Sequence, residues 1–151
     1  MIEWKEQRFS DINTKEFYEI FKFRCEVFVV EQEILYNDFD YKDYKAIHLS
    51  GFINNKLMAY ARIFDKGDYY ENNPGFGRVA VEEKERGKNY GKELVKKCIE
   101  VCKNNFETKE IKISQEHSAY TWLDYNESME KTTFDNAKTV LTKAQKILSD
   151  T

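Results

Sequence analysis

Gly77-Arg78-Val79-Ala80-Val81, followed across a short acidic turn by Arg86-Gly87-Lys88-Asn89-Tyr90-Gly91, decides how this chain is read. The β-branched residues favour extended backbone, the basic glycine-containing segment a turn, and the apolar spacing from Tyr90 onward an amphipathic helix. The first N–H groups of a helix have no intrahelical acceptor, and the helix dipole makes that end positive. A turn of this kind is a site for phosphate groups. Read alone, Gly-x-x-x-Gly describes many solvated loops; the strand–turn–helix context gives it meaning.

Elements predicted on either side agree with this. Ile2 and Trp4 alternate with charged residues, as in an edge strand. Asn13 and Glu16 have the spacing of a capping box, and Phe17, Ile20, Phe21, Arg24 and Phe28 recur at helical spacing, with the β-branched run Val27-Phe28-Val29-Val30 ending the helix. Residues 31–43 are acidic and aromatic and read as a covering loop. Strands over 46–53 and 57–64 are joined at Asn54-Asn55, residues that tolerate a tight left-handed turn. A further turn lies at Asp65-Lys66-Gly67-Asp68. Pro74 opens the strand through Val81, a helix covers 89–103, and a strand covers 110–114. The order β-α-β-β-β-α-β implies an α/β (α+β) fold, a mixed central sheet with helices on both faces.

At 151 residues with 15% aromatic content, the chain fits one domain with a proper core. A net charge of −3, with 24 basic and 27 acidic residues interspersed, argues against nucleic acid as a partner and makes any anion site local. The three cysteines lie in helical patterns without His or Cys neighbours to complete a metal set, and read as buried free thiols. Neither a signal core nor a membrane-length apolar run occurs, so the expectation is a cytoplasmic protein with no membrane partner.

Several residues carry the likeness to a known family: Ile2-Glu3-Trp4, Arg24 with Val27-Phe28-Val29-Val30-Glu31-Gln32, Asp38, Asp40, His48, Ala59-Tyr60-Ala61-Arg62-Ile63 and Gly77-Arg78-Val79. Together with the element order, they resemble the GNAT superfamily of acetyl-CoA-dependent N-acetyltransferases, and within it the ElaA-like group, over about residues 1–117. The loop matches the superfamily's Arg/Gln-x-x-Gly-x-Gly pattern with Asn89 in place of the first glycine. Asn is among the residues that tolerate left-handed backbone.

The resemblance implies acetyl-CoA as cosubstrate and no metal. It places the pantetheine arm along Val79, Ala80 and Val81, and the diphosphate on the amides from Gly87 through Lys88, Asn89, Tyr90 and Gly91, with Arg86, Lys88 and Lys92 adding charge. The acceptor would be a primary amine of a small molecule or peptide, attacking the thioester directly once a base has taken its proton. Glu31, Glu82, His48 and the pair Asp38 and Asp40 are the candidate bases. Arg24, Arg62 and Arg78 form either a structural set or a clamp for an acceptor's carboxylate or phosphate.

The C-terminal part departs from the family. Ser114-Gln115-Glu116-His117 starts the usual continuation, but the Phe-Tyr and Gly-Phe pairs are missing. Tyr120 is the nearby, out-of-register candidate for the tyrosine that protonates the departing thiolate. Residues 118–151 carry one apolar stripe (Phe134, Ala137, Val140, Leu141, Ala144, Ile147, Leu148), so a helix is expected to replace the last strand pair, within a single domain, and to cover the sheet edge or form a homodimer. Two other readings stand beside the N-acetyltransferase: a catalytically weak or inactive CoA-binding or protein-interaction module, and an acyltransferase of the autoinducer-synthase kind.

Overall fold

The structure, a computed structural model, describes residues 2–107 and the backbone of residues 112 and 113. The element order is β1 (Glu3–Arg8), α1 (Thr14–Arg24) continuing into a π-helical turn (Cys25–Glu31), β2 (Ile47–Ile53), β3 (Lys56–Phe64), β4 (Gly75–Val81), α2 (Tyr90–Asn105) and β5 (Lys112–Ile113). The sheet runs β1-β2-β3-β4-β5, antiparallel through β4, with β5 parallel to β4. This is the α/β fold expected, and it lies within the compact unit Met1–Ser118. The helix expected over 118–151 and Tyr120 lie outside the described residues.

Local chemistry accounts for the elements. The Asn13 side chain accepts from the amides of Lys15 and Glu16, while Glu16 accepts from the Asn13 amide, so the capping box forms. Asn54 and Asn55 both adopt positive φ (51° and 62°), the conformation that a two-residue hairpin needs to match strand twist. α1 packs on one sheet face, where Ile20, Phe23 and Val27 meet Leu57, Tyr60 and Ala80. On the other face Leu94, Cys98, Val101 and Cys102 of α2 meet Leu49, Ala61, Ile63 and Phe76. The strand alternation divides between these two layers.

Two expectations are corrected. The run Val27–Val30 does not end the helix: the chain winds on as a π-helix to Glu31. π-helical turns accommodate an extra residue inside a helix and recur at functional sites. Cys25 is exposed, whereas Cys98 and Cys102 are buried. Burial pushes the Cys102 thiol up to about 12, so it stays protonated and inert.

Candidate functional site

Among the described residues, strand β4 is paired along one edge and only at its start along the other. Tyr60 faces Ala80 and Arg62 faces Gly77 across β3, so β4 has one residue more than its partner. That extra residue is a β-bulge at Arg78, whose φ is +52°. The β5 ladder touches only Gly75 and Phe76. Beyond the bulge, Val79 to Val81 have no partner strand on that edge among the described residues. The Glu82 amide donates to the Met58 carbonyl at 2.8 Å, which makes Ala59–Val81 a pair whose own amides and carbonyls point away from each other. The backbone N–H of Val81 therefore faces the open edge, and its carbonyl accepts from Arg86 Nε at 2.9 Å.

The turn that follows carries two left-handed residues, Gly87 (φ 79°) and Asn89 (φ 67°). Alternating backbone of this kind turns successive N–H groups into an anion-binding concavity. Asn89 sits at the N-cap of α2 without a side-chain hydrogen bond, and its carbonyl takes the Glu93 amide at 3.1 Å. The amides of Tyr90, Gly91 and Lys92 precede the first intrahelical bond and are available. A side chain on Gly91 would extend toward Val81 Cγ2, 4.0 Å from the position of its Cβ, across the gap between helix start and strand. Open strand edge, orphan amides and a bare glycine between them fit a diphosphate joined to an extended arm.

Arg86, at the head of the turn, holds the Glu31 carboxylate with both terminal nitrogens, at 2.6 and 2.7 Å. The Glu31 pair raises its pKa further. This pair connects the end of the π-helix to the phosphate-type turn across the chain. Glu82 caps the short turn Glu83–Glu85, accepting from the Lys84 amide at 2.8 Å, and remains partly exposed.

The other candidates gather on the α1 side of the sheet, in a buried network. Arg24 donates from Nε to Asp38 (2.7 Å), from Nη1 to Asp43 (2.5 Å) and from Nη2 to the Asp38 carbonyl (2.9 Å). Arg62 grips Asp40 with two bonds of 2.7 and 2.9 Å and reaches Asp43 at 3.2 Å. Arg78 donates from Nε to Asp38 at 2.6 Å. Three cations and three anions thus neutralise one another where isolated charges would be prohibitively costly. Burial would raise the Asp40 carboxyl, but the Arg62 hydrogen bonds and charge outweigh it and bring it down to about 2. Asp38 is likewise lowered by Arg24 and Arg78 against its burial.

His48 is 1% exposed. Its Nε2 lies 3.0 Å from the Asp43 carbonyl, which can only accept, so the proton sits on Nε2. Nδ1 then accepts from the Tyr60 hydroxyl at 2.6 Å. Burial lowers the His48 pKa, and the ring is neutral. Asp43 and Tyr60 hold this cluster together, yet neither stood out as a functional candidate in the sequence. The available signal was numerical: three acids in a short loop facing three arginines on predicted core positions.

A groove of about 580 Å³ runs elsewhere, between β1, the start of α1 and the β2–β3 turn, past Trp4, Glu16, Ile20 and Phe52. Its lining sets Lys5 and Lys15 against Glu3, Glu16 and Glu19, so it offers no net positive charge to an anion. Among the described residues no helix is long and apolar enough to cross a membrane.

Comparison with known proteins agrees with this geometry. The family described as "Acetyltransferase (GNAT) family" matches residues 7–122. Protein ElaA of Escherichia coli is 37% identical over 113 residues, covering 74% of this chain and 73% of that protein. A UPF0039 protein of Synechocystis is 40% identical over 75% of this chain and 73% of its own length. The crystal structure of Escherichia coli ElaA superposes with a TM-score of 0.70 at 36% identity, over 75% of this chain and 77% of that one. An acyl-CoA N-acyltransferase from Pseudomonas aeruginosa gives 0.65 at 29% identity, over 69% and 72%. A family match over most of the chain, together with this identity and superposition, shows that the chain belongs to the acetyltransferase (GNAT) family as an ElaA-like member.

Proposed function

We propose that this acyltransferase uses acetyl-CoA and delivers the acetyl group to a primary amine by direct attack. The observation that carries the reading is the edge of β4 at Val79–Val81, unpaired among the described residues, running into the orphan amides of Tyr90, Gly91 and Lys92. Acetyl-CoA supplies an activated acyl carbon, and the chain supplies position and polarity. Val79 and Val81 would pair with the extended arm, and the Val81 N–H is a donor suited to a developing oxyanion. The amides from Gly87 onward, with Lys88 and Lys92, would hold the diphosphate.

An incoming amine is an ammonium at neutral pH and must lose a proton before it attacks. Two acids combine solvent access with nearness to this edge: Glu82 follows it directly in sequence, and Glu31 is held beside it by Arg86. His48 contributes through its Tyr60 hydrogen bond or not at all, because both ring nitrogens are engaged inside the core. Asp38 and Asp40, held below the usual carboxylate range, are weak bases. The Arg86–Glu31 pair places a carboxylate in competition with the diphosphate for one guanidinium, so cosubstrate binding would release Glu31 for proton transfer.

Calorimetry and thermal shift with CoA test the binding half. At about a thousandfold excess over its dissociation constant, CoA adds roughly 4 kcal/mol of stability by mass action. Gly91→Leu should fold and lose that increment. Free-thiol release from acetyl-CoA with a panel of amines tests the chemical half. CoA binding without thiol release from any amine would replace the enzyme reading with that of an interaction module.

A further inference from the structure

We infer that Arg78 is the receptor for a carboxylate on the acceptor, so that the substrate is a small amine that also carries a carboxylate group. The inference rests on the N-acetyltransferase reading for the amine and on the geometry of the three arginines for the carboxylate. Arg24 and Arg62 are 0% and 1% exposed, and both terminal nitrogens of each meet aspartate or backbone oxygens. Arg78 differs. Only its Nε is bonded to a protein acceptor among the described residues, and its side chain keeps 22% of its surface. A guanidinium has five N–H donors in a planar fork, so the two terminal nitrogens of Arg78 have four still to place.

Its surroundings hold that fork still. The Phe28 and Tyr36 rings lie 5.7 and 5.4 Å from its carbon, and the Tyr36 hydroxyl bonds the same Asp38 oxygen that receives Nε. A planar cation anchored at one edge and flanked by aromatic rings presents its other edge for bidentate pairing with a carboxylate. The backbone pays a strain for this arrangement, because Arg78 holds a left-handed φ that a non-glycine residue adopts rarely. The same bulge that turns Arg78 toward the α1 side leaves Val79 and Val81 on the open edge, so receptor and proposed acyl site are adjacent in one strand.

The test compares L-amino acids with their carboxamides, which share the amine and differ only in the charge that Arg78 would bind. Saturation-transfer NMR in the presence of CoA reads binding, and thiol release from acetyl-CoA reads turnover. The expected result is about a 10- to 100-fold preference for the acids, falling to near parity in Arg78→Gln through KM rather than kcat. Arg78→Lys, which keeps the charge and loses the fork, should retain part of the preference. Equal binding of acids and amides by the wild-type protein overturns the inference, and needs no variant that folds. Preferential binding of acids without thiol release would leave the Arg78 receptor standing and remove the transferase reading instead.

Discussion

Two arginine–carboxylate systems in this molecule use the same chemistry in opposite surroundings. Arg24 and Arg62 are buried where they meet Asp38, Asp40 and Asp43 on the α1 side of the sheet, whereas the Arg86 and Glu31 side chains keep 44% and 35% of their surface. A buried pair cannot exchange its partner for water or ligand without leaving a desolvated charge. An exposed pair contributes little to stability and exchanges partners freely. The first system therefore fixes the loop over the sheet, and the second is free to respond to an incoming anion.

The sharpest way to break this contrast is to remove one cation from the buried set. Arg24→Met leaves three carboxylates against two arginines in the buried network and should cost about 3–5 kcal/mol in urea unfolding. A loss under 1 kcal/mol would mean that the network is not sealed. Next in size is the backbone of the phosphate-type turn. Asn89→Val puts a β-branched residue at φ 67° and should cost roughly 1–2 kcal/mol, whereas Asn89→Gly should be tolerated, with thermal unfolding as the measurement.

Acid should weaken the buried side in two stages. His48 is neutral in the fold with its pKa below the usual value, so below about pH 6.5 the unfolded chain takes up a proton that the fold refuses, and stability falls. Asp38 and Asp40 are lowered, Asp40 to about 2, so their contribution is complete above about pH 4 and disappears as pH falls through that range. Urea midpoints between pH 7 and 3 should decline in this order; a midpoint that is flat from pH 7 to 5 would contradict the neutral buried imidazole. The smallest effect belongs to the exposed pair. Glu31→Gln should change stability by less than about 1 kcal/mol, an effect reduced further by salt, while tightening CoA binding, because Arg86 is then released to the diphosphate. Weaker CoA binding in that variant would show that Glu31 orients Arg86 rather than competing for it.

Much of the fold was legible because it is locally encoded. The Asn13–Glu16 box, the left-handed Asn54-Asn55 turn, the apolar face of α2 and the strand alternation all follow from neighbours within a few residues. The π-helical extension was not legible, because β-branched Val27, Val29 and Val30 have the propensities of a strand or a helix end, and only packing of Val27 against the sheet settles the matter.

The sequence by itself determined which residues could carry the chemistry: the Gly87–Gly91 turn, three arginines at core-like positions, and a short acidic loop. Only the tertiary structure decided their partners. Whether Arg62 meets Asp40 or a ligand, or Arg86 a phosphate or Glu31, depends on chain segments 22 and 55 residues apart. Charge attraction between side chains is non-local and carries no periodicity, so no pattern along the chain records it, whereas hydrogen bonding within a helix or turn is fixed by the residues beside it.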